Sequence, residues 1–276
     1  MIVVGENINA SNKSVAEAIA GRDSEFLAGL ARAEAAAGAD FVDVNVGAGN
    51  ANPEQEVETM EWVIDVVQEA TEKPLAIDSD NPDVISAALR KYRFSLPGET
   101  PMINSVNAEP ERIESIGPLA AKHHAWLVAL AMGEGGIPPT VEDRIDACDR
   151  ILTHLKRLGV GADQVLFDPL VLPISVEAGQ GMVTLKTIQQ IKLRFPAART
   201  VMGLSNISYG LPSRKLINRS FLLMAAAAGL DAAILDPLDD KIMAFGKVAK
   251  MLTGNDPFCK DYIRAYRKGL LLDEYK

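Results

Sequence analysis

Acidic and carboxamide side chains stand at the ends of short apolar runs in this chain. They are Glu6, Asn7 and Asn9; Asp43 and Asn45; Asp78; Asn104 and Asn107; Asp168; Asn206; and Asp236. Taken singly, Asp or Asn at such a place is most often a cap, because both bind helix N-termini and tolerate turns. Asp80, Asn81 and Asp236 fit that description. Glu6, Asp43, Asp78 and Asp168 fit it less well. Each follows directly on an apolar run, where an inward-pointing carboxylate is partly desolvated and needs matching donors.

A flat heterocycle with an amino-pyrimidinone edge supplies such donors. One carboxylate takes both its ring N–H and its exocyclic amine, as it would take a guanidinium. Asn side chains, which donate and accept, suit the mixed oxo and ring-nitrogen edges. A pterin has this shape, although purines and other lactams share much of it.

The runs that carry these residues are IVVGENIN (2–9), DFVDVNV (40–46), LAIDS (75–79), MINSVN (102–107), HAWLVALAM (124–132), VLFDPLVLP (165–173), RTVMGLSNIS (199–208) and AAILDP (232–237). Helix-like segments separate them. Asn52-Pro53-Glu54 and Asn81-Pro82-Asp83 each offer an N-cap followed by proline at the first helical position. Thr140 to Asp143 resembles a capping box. Val57, Met60, Ile64 and Val67 define one apolar helix face. Further helices are expected over 24–37, 110–121, 140–158, 182–194, 217–229 and 239–252. Eight alternations of strand and helix predict a single (β/α)8 TIM barrel over 1–258, with 259–276 as a C-terminal extension made of a short helix and a frayed tail. The ends of barrel strands open onto the active site, so the polar side chains are expected in one pocket.

Composition narrows the field. The chain of 276 residues is close to the usual size of a barrel of this kind, and its net charge of −9 argues against a nucleic-acid footprint. Its longest apolar stretch, Phe221 to Leu230, is too short to span a bilayer, and no export signal or membrane association is expected. Cys148 and Cys259 are too few and too far apart for a disulfide framework or a zinc site, so a reducing cytoplasm is the expected compartment.

No glycine-rich phosphate loop, Ser-His-Asp set or HExxH motif occurs. His123, His124 and His154 have no metal spacing. The first two are expected to open the fifth strand at the barrel bottom, and His154 to lie mid-helix in a structural role. Chemistry in this pocket then rests on positioning and hydrogen bonding, with no bound metal and no covalent nucleophile.

Taken in order, GENIN (5–9), DVNVG (43–47), IDSDN (77–81), MINSVNAE (102–109), FDPLVLP (167–173) and MGLSNIS (202–208) resemble the pterin-binding barrels. The resemblance is nearest to the methyltetrahydrofolate:corrinoid/iron–sulfur protein methyltransferases and includes LINRSF (216–221) and AGLDAAILDP (228–237). It implies that the methyl group on N5 of methyltetrahydrofolate passes to the cobalt of a cobalamin carried on a separate protein. By position, Asp78, Asn104 and Asp168 then bind the pyrimidine edge, and Asn206 hydrogen-bonds near N5. Asp43 and Asn45 line the floor, Gly203 and Ser205 lie against the ring, and Glu6 and Asn9 belong to the opening motif. Asn206 donates a hydrogen bond but has no proton to give up, so the N5 proton comes from solvent or another acid.

The resemblance also implies partners. No DxHxxG cobalamin signature is present, since Leu152 stands where the Asp before His154 belongs. A corrinoid protein is therefore expected to dock transiently at the barrel mouth, and a homodimer is expected. Arg214, Lys215 and Arg219 lie at the rim, where they either meet the folate glutamate tail or start a solvated helix.

Dihydropteroate synthases share the Asp/Asn/Asp grip and are the enzymatic rival. They place a Lys after Ser-Arg on the seventh strand, where this chain has Leu204-Ser205-Asn206. They also hold a diphosphate, whereas the region after the eighth strand here reads Asp236-Pro237-Leu238-Asp239-Asp240. A non-catalytic pterin-binding barrel is a second alternative, and an unrelated sugar or keto-acid barrel a third. The direction of transfer is not written in the barrel, and in a demethylase system it runs toward tetrahydrofolate.

Overall fold

The computed structural model describes residues 1–47, 52–93 and 100–271. Its strands are β1 (Ile2–Asn9), β2 (Phe41–Asn45), β3 (Leu75–Asp78), β4 (Met102–Val106), β5 (Trp126–Leu130), β6 (Val165–Asp168), β7 (Arg199–Gly203) and β8 (Ala232–Leu235). All pair in parallel in chain order, and β8 pairs back onto β1 to close a barrel. Helices α1 (Lys13–Ala20) and α2 (Ser24–Ala37) follow β1. After β2 to β8 come α3 (Pro53–Ala70), α4 (Pro82–Lys91), α5 (Pro110–His123), α6 (Val141–Arg157), α7 (Gln180–Arg194), α8 (Arg214–Ala228) and α9 (Asp240–Leu252). The expected (β/α)8 architecture is present. Among the described residues no helix is long and apolar enough to cross a membrane.

The caps behave as their residue types dictate. Asn52 accepts from the Glu54 N–H at 3.2 Å, Asn81 from Asp83 at 2.9 Å, and Thr140 from Asp143 at 3.2 Å.

Strand parity decides which side chains meet inside the barrel. Val4, Phe41, Ala76, Met102, Val128, Leu166, Val201 and Ala232 form one buried interior cluster. Their neighbours along the strands, such as Val42, Ile77, Ile103, Phe167 and Met202, pack outward with the helices. Alternate residues of a strand share a face, so two residues on from Phe41, Ala76, Met102, Leu166 and Val201 the interior face carries Asp43, Asp78, Asn104, Asp168 and Gly203. The site is the polar layer above an apolar plug. At the other end Trp126 packs on Phe41 with ring centroids 5.4 Å apart, and Arg199 lies 4.6 Å over the Trp126 ring.

Some boundaries differ from the expected ones, each for a local reason. β6 stops at Asp168 because Pro169 lacks an N–H and Leu170 takes a left-handed φ of 66°. The apolar character of GLSNIS continues β7 only in appearance, since Leu204–Ser208 coils into a 3-10 turn. The expectation that His123 and His124 open β5 is corrected. His123 ends α5 and His124 caps it at φ 49°, so the strand begins only at Trp126. Helix α1, eight residues long, was not expected. A short α10 (Lys260–Arg267) follows α9 inside the extension expected over 259–276, of which 272–276 lie outside the described residues.

Candidate active site at the barrel mouth

One side of the mouth is built from β2, β3 and β4. The register sets Asn45 beside Asp78 and Asp78 beside Asn104. Asn45 donates from Nδ2 to Asp78 Oδ2 at 2.9 Å, and the Asn104 side chain lies beside the Asp43 carboxylate and favours its ionised form. Asp43 is 2 % exposed, and its Oδ1 is buried without a partner among the described residues. An acceptor left open in this way suits a ligand that brings N–H groups.

Across the mouth, β6 carries Asp168, β7 ends at Gly203, and the turn after β7 carries Asn206. Asp168 accepts from the Leu170 N–H at 2.7 Å and from the backbone of Gly203. Asn206 is exposed in the 3-10 turn after β7, and its carboxamide lies over Gly203. A methyl group on Gly203 would sit 3.0 Å from Asn206 Nδ2. Because Gly203 has an ordinary φ of −71°, the demand for glycine here is steric. Gly203→Ala is expected to displace Asn206 and to lower turnover about tenfold, with the melting temperature almost unchanged. Steady-state kinetics beside a thermal melt checks it.

A third sector joins β1 to β7 and β8. Glu6 lies near Ser205, Arg214 and Asp236. With Ser205, Arg214, Asn218, Asp236 and Asp239 it lines a cavity of about 330 Å³. Asn7 Nδ2 donates to Asp236 at 2.8 Å, and the Asn7 N–H to Glu34 Oε1 at 2.9 Å. Asn9 accepts from the Ser11 N–H at 2.9 Å, which is a turn role. Asp236 also accepts from the Leu238 N–H at 2.9 Å, as a turn residue does.

The electrostatics are those of crowded, half-dry carboxyls. Burial pushes Glu6 up to about 7, aided by the neighbouring Asp236 charge. Burial also pushes Glu34 and Asp168 up to about 7, against the N–H groups that each accepts from. Asp43 and Asp78 are raised as well, chiefly by burial. An acid whose folded pKa exceeds its unfolded one binds more protons when folded. Its contribution to stability is then full below the unfolded value, near 4, and is lost as pH rises through the folded value, near 7. The ligand-free protein is therefore expected to melt at a lower temperature at about pH 8 than at about pH 5.5. Calorimetry at the two pH values checks the sign.

Three residues of the site were not anticipated. Glu34 of α2 is wholly buried and reaches β1 where Gly5 has no side chain; a methyl there would lie 2.6 Å from its carboxylate. Arg112 of α5 donates to the carbonyls of Ser79 (2.9 Å), Asp80 and Ser105 (2.8 Å), binding the ends of β3 and β4 together. Arg144 of α6 is wholly buried behind Asp168. Glu34 and Arg144 occupy stripe positions of their helices, with Leu27 and Ala31 in one case and Cys148 and Ile151 in the other. A charged residue on an apolar stripe was the available signal.

The expected basic cluster at the rim is largely spent within the protein. Arg219 Nη2 reaches both oxygens of Asp239 at 2.8 and 2.9 Å, and Lys215 lies 3.7 Å from the same carboxylate. Asp239, the N-cap of α9, draws them there. Arg214 donates to Ser208 Oγ at 3.0 Å and to the Ser205 carbonyl at 2.8 Å. His154 pairs with Glu114 at 2.5 Å, away from the mouth.

Fold and site together define a (β/α)8 barrel whose mouth presents a layer of buried carboxylates and carboxamides. The chain belongs to the family of pterin-binding enzymes, whose model matches residues 5–236. It is 34% identical over 271 residues to the methylcorrinoid:tetrahydrofolate methyltransferase of Eubacterium limosum, covering 98% of this chain and 97% of that protein. It is 32% identical over 248 residues to the methionine synthase of Mycobacterium leprae (strain TN), covering 85% of this chain but 20% of that much longer protein. Among solved structures, a dihydropteroate synthase from Coxiella burnetii in complex with pteroic acid superimposes with a TM-score of 0.68 at 13% identity, over 92% of this chain and 94% of that one. That last likeness is one of fold.

Proposed function

We propose that this protein is a methyltransferase that moves a methyl group between N5 of methyltetrahydrofolate and the cobalt of a corrinoid protein. The observation that carries the reading is the near-complete, 34% identical match to a methylcorrinoid:tetrahydrofolate methyltransferase. The ring of Asp43, Asn45, Asp78, Asn104 and Asp168 gives it a chemical basis. Asp78, Asn104 and Asp168 grip the pyrimidine edge, while Asp43 and Asn45 form the floor. Gly203 and Ser205 lie against the pterin, Glu6 and Arg214 flank it, and Asn9 shapes the exit of β1.

N5 leaves the methyl group as an amine, because departure as an amide anion is prohibitive. It must therefore be protonated or strongly hydrogen-bonded as the carbon–nitrogen bond breaks. Asn206 donates that hydrogen bond and stabilises the charge developing at N5. The proton itself comes from solvent or from an acid other than Asn206. The remaining rate enhancement is alignment of methyl carbon, N5 and incoming cobalt for in-line displacement.

Cobalamin arrives on a partner protein that docks transiently at the mouth. Val176 and Tyr209, 77% and 67% exposed, stand on the loops after β6 and β7, the latter donating its N–H to the Asn206 carbonyl, and support such a contact. Ser175 Oγ ties the two loops, donating to the Tyr209 carbonyl at 2.7 Å. Exposed apolar side chains on the adjoining α7 and α8, among them Leu193, Leu216 and Met224, support a homodimer. The barrel over 1–258 is the working unit, 259–276 an appendage, and the cytoplasm its compartment.

A titration of methyltetrahydrofolate followed by calorimetry tests the binding step and is expected to saturate at one folate per chain. Supplied instead with a dihydropterin diphosphate and p-aminobenzoate, the protein is expected to form no dihydropteroate. Dihydropteroate formation would replace this reading with the synthase one.

A further inference from the structure

We infer that Arg144 is a positioning residue of the pterin site: from the first turn of α6 it fixes the Asp168-Pro169-Leu170 turn and sets a buried cation behind the Asp168 carboxylate. The inference rests on the pterin-binding reading above and adds to it a residue that acts on the ligand only through Asp168.

The turn needs support. Leu170, a branched residue, holds φ at 66°, a region such residues occupy only when their surroundings impose it. That conformation lets the Leu170 N–H reach back to Asp168 Oδ1 at 2.7 Å, which orients the carboxylate. Arg144 supplies the surroundings. Its Nη1 donates to the Pro169 carbonyl at 2.8 Å and to the Leu170 carbonyl at 2.9 Å. Its Nε donates to Pro138 O at 2.9 Å and its Nη2 to Gln180 Oε1 at 2.7 Å. Thr184 Oγ1 adds a second bond to the Leu170 carbonyl at 2.9 Å. One planar fork thus joins the β5–α6 loop, the end of β6 and the start of α7, a task that suits guanidinium better than ammonium.

The charge is the second part of the argument. Arg144 is 0% exposed, yet all four of its direct partners are neutral oxygens. A wholly buried cation without an ion pair is costly unless a nearby anion answers it. The anions that feel it are Asp168 and, in the loop before α7, Glu177. The other titratable group near Asp168 is Cys148 on α6, its thiol pushed up by burial. Among the described residues, the flanking strands bring the apolar Leu130 of β5 and the backbone of Gly203 in β7 beside Asp168. Arg144 is thus the cation that favours the ionised form of Asp168, the form that accepts N–H groups from a pterin.

The test is the pH dependence of methyltetrahydrofolate affinity from about pH 5.5 to about pH 9 for wild type, Arg144→Met, Arg144→Lys, Asp168→Asn and the double variant Arg144→Met/Asp168→Asn. Wild type is expected to lose affinity as pH falls through the Asp168 ionisation. In Arg144→Met the midpoint is expected to move up by about one unit, so that affinity at neutral pH falls about tenfold and returns at the alkaline end. Arg144→Lys keeps the charge and is expected to keep the wild-type midpoint. The double variant is expected to bind as Asp168→Asn does. Should Arg144→Met fail to fold, Arg144→Gln, which removes the charge but keeps two N–H donors on a shorter side chain, carries the same expectations. Loss of affinity by one factor at every pH, or a double variant weaker than Asp168→Asn, would overturn the inference. A wild type that binds no folate at any pH would instead overturn the pterin reading on which it rests.

Discussion

Asn206→Ala is expected to slow methyl transfer by about 10²- to 10³-fold, the loss typical of removing one preorganised donor to a developing charge. The affinity for methyltetrahydrofolate should change little. The residue is exposed at the mouth, outside the buried ring, and its carboxamide is placed by the bare Cα of Gly203 rather than by strong partners of its own. In the proposed mechanism its interaction with N5 strengthens only as the carbon–nitrogen bond breaks, so its removal is expected to lower kcat and leave KM near its original value. Asn206→Asp is a sharper version. The side chain keeps its shape but, once ionised, only accepts, and the rate is expected to fall at least as far. Single-turnover kinetics on the two variants separates the chemical step from binding.

Asp78→Ala is expected to do the reverse and abolish binding first. Asp78 Oδ2 is held by Asn45 Nδ2 at 2.9 Å, and the strand register sets Asp78 beside Asn104. The carboxylate is therefore aimed before a ligand arrives. Removing one partner of a desolvated, charge-assisted pair costs about 2 to 5 kcal/mol, or about 30- to 4,000-fold in affinity. Asp78→Asn keeps the volume but turns a donor toward the ring N–H, and is expected to bind almost as poorly. The wild-type acid is itself raised by burial, so a ligand that brings donors offsets a cost the empty protein bears. The melting temperature of the empty Asp78→Asn variant is accordingly expected to equal or exceed that of wild type, which calorimetry can check.

How far the site could be read in advance follows from what positions each side chain. Strand parity is a local property, and it carried Asp43, Asp78, Asn104 and Asp168 to the interior face directly above Phe41, Ala76, Met102 and Leu166. The ends of β6 and β7 were harder to see. Val171 and Leu172 continue the apolar character of β6, and only Pro169 marks the left-handed turn at Leu170. Arg112, Arg144 and Glu34 were missed for another reason. They reach the site from the helical ring, and the contacts that make them important lie with distant segments: Pro169 for Arg144, Ser79 for Arg112, Gly5 for Glu34. A periodic pattern marks the stripe but not what lies beneath it. At the rim Arg214 turns to Ser208 and Ser205, and Lys215 and Arg219 are spent on an anion, Asp239, that comes from the start of the next helix. A helix start at 239 was legible, but the pairing of Asp239 across the groove was not.

The central claim is that this barrel moves a carbon between N5 and cobalt. Incubating the protein with methyltetrahydrofolate and reduced free cobalamin, and following the cobalt absorption spectrum, addresses it directly. Methylcobalamin is expected to accumulate with enzyme-dependent rate, and to do so far more slowly with Asn206→Ala. Saturable folate binding with no methylcobalamin above the enzyme-free control would contradict it and leave a barrel that binds pterins without transferring their methyl group.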